Sequence, residues 1–313
     1  MKVLVTGGAG FLGSHVVEVL EEAGHEPFVL DDLSSGRRER VATRIPFIEA
    51  DVREVERLER LLEECRPDAL VHLAARPFGV RDDHVDASAF EVNVTGSHSV
   101  VQAASVAGVS HVVIASSAAV YGEMCGEIAD ESHPTHPQTP NGEAKLAVEQ
   151  FVHRSSREWP VATTLLRFAN LYGPGSASEC ESAVHAFVER ISRGESPVID
   201  GSGDQTRDFV SVRDAAVAVA AVLESKTTGT FNVGTGIETS INTLAMCVAD
   251  ALGLAPLPPQ YRPSRPNDVR RSCLDGKRLY EAVGFRPTTT VRHGLAETVT
   301  SRCSVAATFT GLQ

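Results

Sequence analysis

Short apolar runs alternate with amphipathic stretches through the first half of the chain. Lys2-Val3-Leu4-Val5-Thr6 predicts a buried strand. Leu12, Val16, Val17, Val19 and Leu20 then recur on one helical face, with Gly24 at the stop. Phe28-Val29-Leu30 predicts a second strand that ends on Asp31-Asp32, and Ile45 to Ala50 a third. Arg57 to Cys65 is helical, Ala69 to Ala75 reads as a fourth strand, and Phe90 to Ala107 as a helix stopped by Gly108. His111 to Ser117 is a fifth strand, followed by a helix over Asn141 to Arg157 and a strand over Val161 to Phe168. Strands and helices that alternate with mostly short connections predict an α/β protein with a doubly wound parallel sheet, whose ligands sit off the carboxyl ends of the strands.

Beyond about residue 171 the texture changes. Tyr172-Gly173-Pro174-Gly175 is a turn, Ala183 to Arg193 is helical, and Pro197 to Asp200 is a short strand. Val212 to Leu223 is an apolar helix that returns to the first layer, and Thr230 to Val233 a strand that rejoins the main sheet. Leu244 to Leu252 is helical, and Pro256 to Pro266 is a proline-rich loop. We therefore expect a sheet domain over residues 1–170, with elements returned to it from about 205–235. The rest of 171–313 would form a smaller carboxyl-terminal substrate lobe.

Glycines at 7, 10 and 13 join the first strand to the first helix. Gly7 allows the tight turn, Gly10 lets backbone N–H groups approach a pyrophosphate, and Gly13 lets the helix pack closely on the strand. The helix N-terminus at Phe11 and Leu12 carries unpaired N–H groups and a partial positive charge. Asp31 lies 18 residues past Gly13, at the end of the second strand. A carboxylate there accepts both ribose hydroxyls of an adenosine and repels a 2′-phosphate, which predicts NAD as the cofactor of a Rossmann-type fold. Asp32 and the turn Ser34-Ser35-Gly36 follow it, and Asp51-Val52 ends the third strand beside the expected adenine. Leu73-Ala74-Ala75 is small enough for a cofactor to lie against its backbone.

At 313 residues and 42% hydrophobic residues the chain is an ordinary globular protein, and no apolar run approaches the roughly 18 residues of a membrane helix. The chain enters its first strand with no secretory signal, so no membrane partner is expected. Its six cysteines show neither a CxxC pair nor metal-ligand spacing, so we expect reduced thiols, a cytoplasmic location and no metal. The net charge of −12 argues against a nucleic-acid partner and makes clustered arginines informative.

Several segments together resemble the extended short-chain dehydrogenase/reductases, in their NAD-dependent nucleotide-sugar epimerase/dehydratase branch. They are Thr6-Gly7-Gly8-Ala9-Gly10-Phe11-Leu12-Gly13, His72-Leu73-Ala74-Ala75, Asn93-Val94-Thr95-Gly96 and Ser116-Ser117-Ala118-Ala119-Val120-Tyr121-Gly122. Leu166 to Pro174, Gln205-Thr206-Arg207-Asp208-Phe209-Val210, Asn232 to Gly236 and Arg265-Pro266-Asn267-Asp268-Val269 extend the likeness to nearly the whole chain. The resemblance implies that NAD takes a hydride from a sugar carbon, usually C4, and returns it. It places Ser117 and Lys145 in the proton machinery, Lys145 also on the cofactor, and Asn93, Ala115 and Phe168 along the cofactor. It places Asn170, Arg207 and Arg265 on a nucleotide-diphosphate sugar, a UDP-sugar first. Ser117 would also touch that sugar. It further implies a homodimer paired through the helix carrying Val94, Val101 and Ala104 and the one starting near Asn141; those three positions read as core or as that dimer face. The segment Arg76 to Arg81 could face substrate, and His72 reads as a structural strand histidine.

One position departs from the pattern. Asn141 stands where the family has the tyrosine of its catalytic set. A phenol beside an ammonium can take a hydroxyl proton near neutral pH, whereas a carboxamide hydrogen-bonds but does not titrate. Three readings stay open: an introduced or accidental substitution in an epimerase, a different base among Tyr121, Cys125 and His136, or a protein that binds NAD and sugar nucleotide with little turnover. Ala118 and Ala119 follow Ser117 where family dehydratases and decarboxylases carry acids, so elimination of water lacks its acid. Epimerase chemistry is the expectation, with reduction at C4 as a lesser option.

Overall fold

The computed structural model describes residues 1–313 apart from 79–86, 125, 127, 156, 157, 160, 176–181 and 311–313, and leaves the side chains of 302–310 undescribed. Strand β1 (Lys2–Thr6), helix α1 (Phe11–Glu22) and strand β2 (Glu26–Asp31) open the chain, followed by β3 (Phe47–Glu49), α2 (Val55–Cys65) and β4 (Ala69–His72). Next come α3 (Ala87–Phe90), a π-helical turn over Glu91–Gly96, α4 (Ser97–Val106), β5 (His111–Ser117), α5 (Pro140–Ser155) and β6 (Ala162–Phe168). The remainder contains β7 (Asn170–Tyr172), α6 (Ala183–Ser192), β8 (Val198–Asp200), β9 (Thr206–Ser211), α7 (Val212–Ser225) and β10 (Gly229–Val233). The chain ends through β11 (Glu238–Ser240), α8 (Ile241–Ala251), β12 (Gln260–Arg262), β13 (Arg271–Ser272), α9 (Lys277–Val283) and α10 (Val291–Thr310).

Seven strands form one parallel sheet in the order β3-β2-β1-β4-β5-β6-β10, the doubly wound architecture expected. The register brings Thr6 opposite Leu30 and His72, so several carboxyl ends open onto one edge. Val3, Leu4 and Val5 are buried because helices cover both faces. On one face α1 and α7 pack through Val16, Leu20, Ala216 and Val219. On the other, Leu58 and Leu62 of α2, Val101 and Ala104 of α4, and Val148 of α5 form a second core.

Strand β9 runs through a separate four-stranded sheet, pairing with β7 and β13 in parallel and with β11 antiparallel. Helices α6, α8 and α10 cover it through Phe187, Leu244 and Leu295, which pack with Tyr172 and Phe209. The long C-terminal helix, strands β7, β11 and β13, and the short strand β12 inside the proline-rich loop carry too little periodicity to be read beforehand.

Two local expectations change. Residues 73–75 leave the sheet after His72, so the fourth strand is shorter than its apolar run. The helix expected from Phe90 to Ala107 begins at Ala87 and passes through the π turn. Of the two readings open for Val94, Val101 and Ala104, the core is the one observed: they are 8%, 2% and 0% exposed and belong to the second core.

Candidate active site

The glycine loop is shaped by close backbone approach. Gly7 has φ +72°, and a Cβ there would stand 2.5 Å from the amide nitrogen of Ala74. A Cβ on Gly13 would stand 2.0 Å from the carbonyl oxygen of Gly7. Helix α1 therefore starts tight against the loop, at Gly10, with no side-chain cap. Phe11, Leu12 and Gly13 form its first turn, whose N–H groups have no partner within the helix. Asp31 is 6% exposed and accepts hydrogen bonds from the N–H groups of Ala9 and Leu33, both at 2.9 Å. Burial pushes its carboxyl above the usual range, and the two backbone donors oppose that.

A cleft runs from this carboxylate over the sheet edge. It is lined by Gly7, Gly10, Asp31, Asp32, Ser34, Ser35 and Gly36 on one side. Val52, Leu73, Ala74 and Ala75 line the other, together with Leu30, Ala50 and Val92, which the sequence did not single out. An uncapped helix N-terminus suits a pyrophosphate and a carboxylate at the second strand suits a ribose, so the cleft fits a dinucleotide.

Eight expected cofactor residues stand outside that lining: Phe11, Leu12 and Gly13 in the first turn of α1, Lys145 on α5, and Asp51, Asn93, Phe168 and Ala115. Asp51 is held by the Arg53 guanidinium, which keeps its carboxyl below the usual range. Asn93 spends its carboxamide on the backbone of Arg76, accepting from its N–H at 2.7 Å and donating to its carbonyl at 2.9 Å. It thereby clamps the loop that carries Ala74 and Ala75. Phe168 is buried in the core at the end of β6. Ala115 lies on β5, where its carbonyl accepts from Lys145 Nζ at 2.8 Å.

Ser117 ends β5 and accepts from the N–H of Ala119 at 3.1 Å, capping a tight turn over Ala118–Val120. Helix α5 presses on that turn: a Cβ on Gly142 would lie 2.4 Å from the Ala119 carbonyl oxygen. This contact brings Asn141 and Lys145 to the carboxyl end of β5. Asn141 is half-buried, and no hydrogen bond to its carboxamide is found among the described residues. Lys145 is also half-buried, and desolvation pulls its ammonium down to about 8 against the pull of Glu149. His72 is closed between Thr6 Oγ1 at 2.7 Å and Ser97 Oγ at 2.9 Å, and burial draws it down to about 3, so it is a neutral structural group.

Behind the site lies a buried polar network that sequence reasoning missed. Arg167 donates to both carboxylate oxygens of Glu149, at 2.9 and 2.6 Å, and Ser116 Oγ donates to the same carboxylate at 2.5 Å. Arg167 also donates to the Tyr121 hydroxyl at 2.8 Å, which donates onward to Asn232 Oδ1 at 2.8 Å. The only sequence signals were a charge inside the apolar run Leu165-Leu166-Arg167-Phe168 and an acid one helical turn after Lys145.

Residues 3–234 match the profile of the NAD-dependent epimerase/dehydratase family. The chain belongs to that family. Its cofactor is NAD. A UDP-glucose 4-epimerase of Mycolicibacterium smegmatis is 37% identical over 310 residues, covering 96% of this chain and 97% of the relative. The crystal structure of the Thermus thermophilus UDP-glucose 4-epimerase complex with NAD superposes with a TM-score of 0.87 at 37% identity, covering 96% of this chain and 98% of that one. The Thermotoga maritima UDP-glucose 4-epimerase with UDP-glucose gives a TM-score of 0.91 at 35% identity, covering 98% and 100%.

In this epimerase/dehydratase family member Ser117 ends a strand of the main sheet, while the other expected substrate residues, Asn170, Arg207 and Arg265, lie outside that sheet. Arg207, half-buried on β9, donates to Asp268 at 2.8 Å; burial lowers its affinity for protons and Asp268 opposes that. Arg265 is exposed and donates to Asp200 at 2.7 Å. Each arginine thus has a carboxylate partner. Asn170 is exposed at the start of β7. Asp208, also missed, ties the neighbour of Arg207 to the loop after β10, accepting from Thr235 Oγ1 at 2.5 Å and the Gly236 N–H at 3.1 Å. Of the substitute bases, Tyr121 is 1% exposed with its phenol pushed up by burial, and His136 is exposed. Cys125 and Arg81 lie outside the described residues. No helix among the described residues is long and apolar enough to cross a membrane.

Proposed function

We propose that this family member is a nucleotide-sugar epimerase that oxidises C4 of a UDP-hexose or UDP-uronic acid and re-reduces it from the other face. The observation that carries this reading is Lys145 anchored on Ala115 at the end of β5, with Ser117 two residues further along the same strand, at the carboxyl end of the same parallel sheet whose neighbouring strands end at the Asp31 cleft. Two alanines after Ser117 leave no acid to expel water, which favours epimerisation over dehydration.

In this reading Asp31 would hold the adenosine ribose, and the glycine loop with the first turn of α1 the pyrophosphate. Bound NAD supplies a hydride acceptor that later gives the same hydride back. Ser117 would hydrogen-bond the 4-hydroxyl, and Lys145 would hold the nicotinamide ribose. Arg207 and Arg265 would exchange their carboxylate partners for diphosphate oxygens, a geometry guanidinium groups match. Asn170 would hydrogen-bond the sugar or its phosphates.

Asn141 supports a second reading, a protein that binds NAD and a nucleotide sugar with little turnover, because its amide cannot shuttle a proton. Proton NMR of UDP-glucose, UDP-galactose and their uronic acids incubated with the NAD-loaded protein separates the readings. Interconversion of C4 epimers is the expected result. Binding of both ligands without any change in the sugar would establish the second reading, and net consumption of NADH with a 4-keto sugar would establish a ketoreductase.

A homodimer completes the proposal. Its support is a groove on α4 and α5 where His98 stacks on Phe151 at 3.5 Å between ring centroids, flanked by Ala147 and Gln150. Sedimentation equilibrium at micromolar concentration should return twice the chain mass; a monomer would remove this part.

A further inference from the structure

A C4 alcohol that loses a hydride must also lose its hydroxyl proton, and residue 141 offers no acceptor. Three buried groups among the described residues are spent in other ways. The Tyr121 hydroxyl is buried between Asn232 and Arg167, and a phenolate there would form in the core. Both ring nitrogens of His72 are engaged, by Thr6 and Ser97. Glu149 is fully committed to Arg167 and Ser116. Lys145 differs from all of these. Its Nζ makes one hydrogen bond, to Ala115 O at 2.8 Å, and lies where the strand bearing Ser117 ends. An ammonium carries three donors, so one hydrogen bond leaves capacity for a second partner.

We propose that Lys145, rather than residue 141, accepts the proton of the sugar 4-hydroxyl in this chain. The inference rests on the reading of this site as one for a nucleotide sugar. The O–H bond would break and its proton join the neutral amine as the carbonyl forms; bound NAD would supply the acceptor for the C4 hydrogen and its electron pair. Reversal on the opposite face returns both, so nothing is consumed. The charged groups around the amine set when it is neutral. Burial favours the neutral form and Glu149 the charged form, with Glu149 itself neutralised by Arg167; His72 adds no charge. The amine is free above pH about 8, so the rate should rise with pH and level off there.

The test compares wild type, K145R, N141Y and N141Y/K145R for interconversion of UDP-glucose and UDP-galactose between pH 6 and 10, with NAD retention and UDP-glucose binding measured on each. Arginine keeps the positive charge but cannot accept a proton. K145R should bind both ligands and lose about 10²–10⁴-fold in kcat. N141Y should shift the rise to lower pH, and N141Y/K145R should recover about tenfold or more over K145R because the phenol then takes the proton. The proposal is overturned by a wild-type rate independent of pH, by an unchanged rate in K145R, or by an equal loss from K145R in both backgrounds, which would leave lysine a cofactor anchor. Wild type that binds NAD and UDP-glucose without turning over the sugar also overturns it and spares the binding reading. Failure to bind either ligand removes both.

Discussion

Replacing Arg167 with methionine should lower the free energy of unfolding by about 3–5 kcal/mol, read as a shift of the urea midpoint at unchanged slope. The side chains of Arg167 and Glu149 are 8% and 2% exposed, and their two parallel hydrogen bonds span 2.9 and 2.6 Å. Methionine fills a similar volume but leaves the Glu149 carboxylate buried with only the Ser116 hydroxyl to solvate it. The Tyr121 hydroxyl also loses its donor. If the cost is that of an orphaned charge, removing the charge should undo it. Glu149→Leu combined with Arg167→Met should therefore be far closer to wild type than Arg167→Met alone. A double variant as unstable as the single one would show that packing, and not charge, dominates. Because Glu149 lies one turn beyond Lys145 on α5, the same pair fixes the register of the helix that delivers Lys145.

Gly13→Ala should weaken NAD binding by about 10²-fold, measured by calorimetry. The new Cβ would meet the Gly7 carbonyl oxygen at 2.0 Å and the Gly8 Cα at 2.7 Å, both backbone atoms that cannot swing aside. The first turn of α1 would have to retreat by roughly 1 Å from the loop, the scale of misplacement that costs this much in positioned sites. Gly24→Ala is the control. Gly24 has φ +77° with nothing within 4 Å of a new Cβ, so it should cost about 1–2 kcal/mol of stability and leave NAD affinity unchanged. Equal affinity in wild type and Gly13→Ala would mean that the helix start does not hold the pyrophosphate.

Both variants bear on what could be read from residue order. Strand, glycine loop, helix and terminal Asp31 form a local unit, and local periodicity is what a sequence displays directly. Gly7, Gly10, Asp31, Asp32, Ser34 to Gly36, Val52 and Leu73 to Ala75 line the cleft as expected, whereas Leu30, Ala50 and Val92 line it unannounced. Asn93 shows the boundary. Its presence in the motif was visible, but its bonds to Arg76 depend on how a π turn meets the loop after β4. Val94, Val101 and Ala104 share a helical face by spacing, yet only the packing of α2 and α5 against it makes that face interior.

By itself the sequence determined the winding of the sheet, the glycine positions where a Cβ cannot fit, the acid that ends β2 and the amide at 141. The reason is that strand and helix periods, turn chemistry and side-chain identity are properties of neighbours along the chain. Only the tertiary structure decided that Lys145 leans on Ala115, that Glu149 closes on Arg167, that Tyr121 is sealed from solvent, and that Arg207 and Arg265 each meet an aspartate. Those pairings join residues brought together by the crossing of separate elements, where burial strengthens some charges and neutralises others.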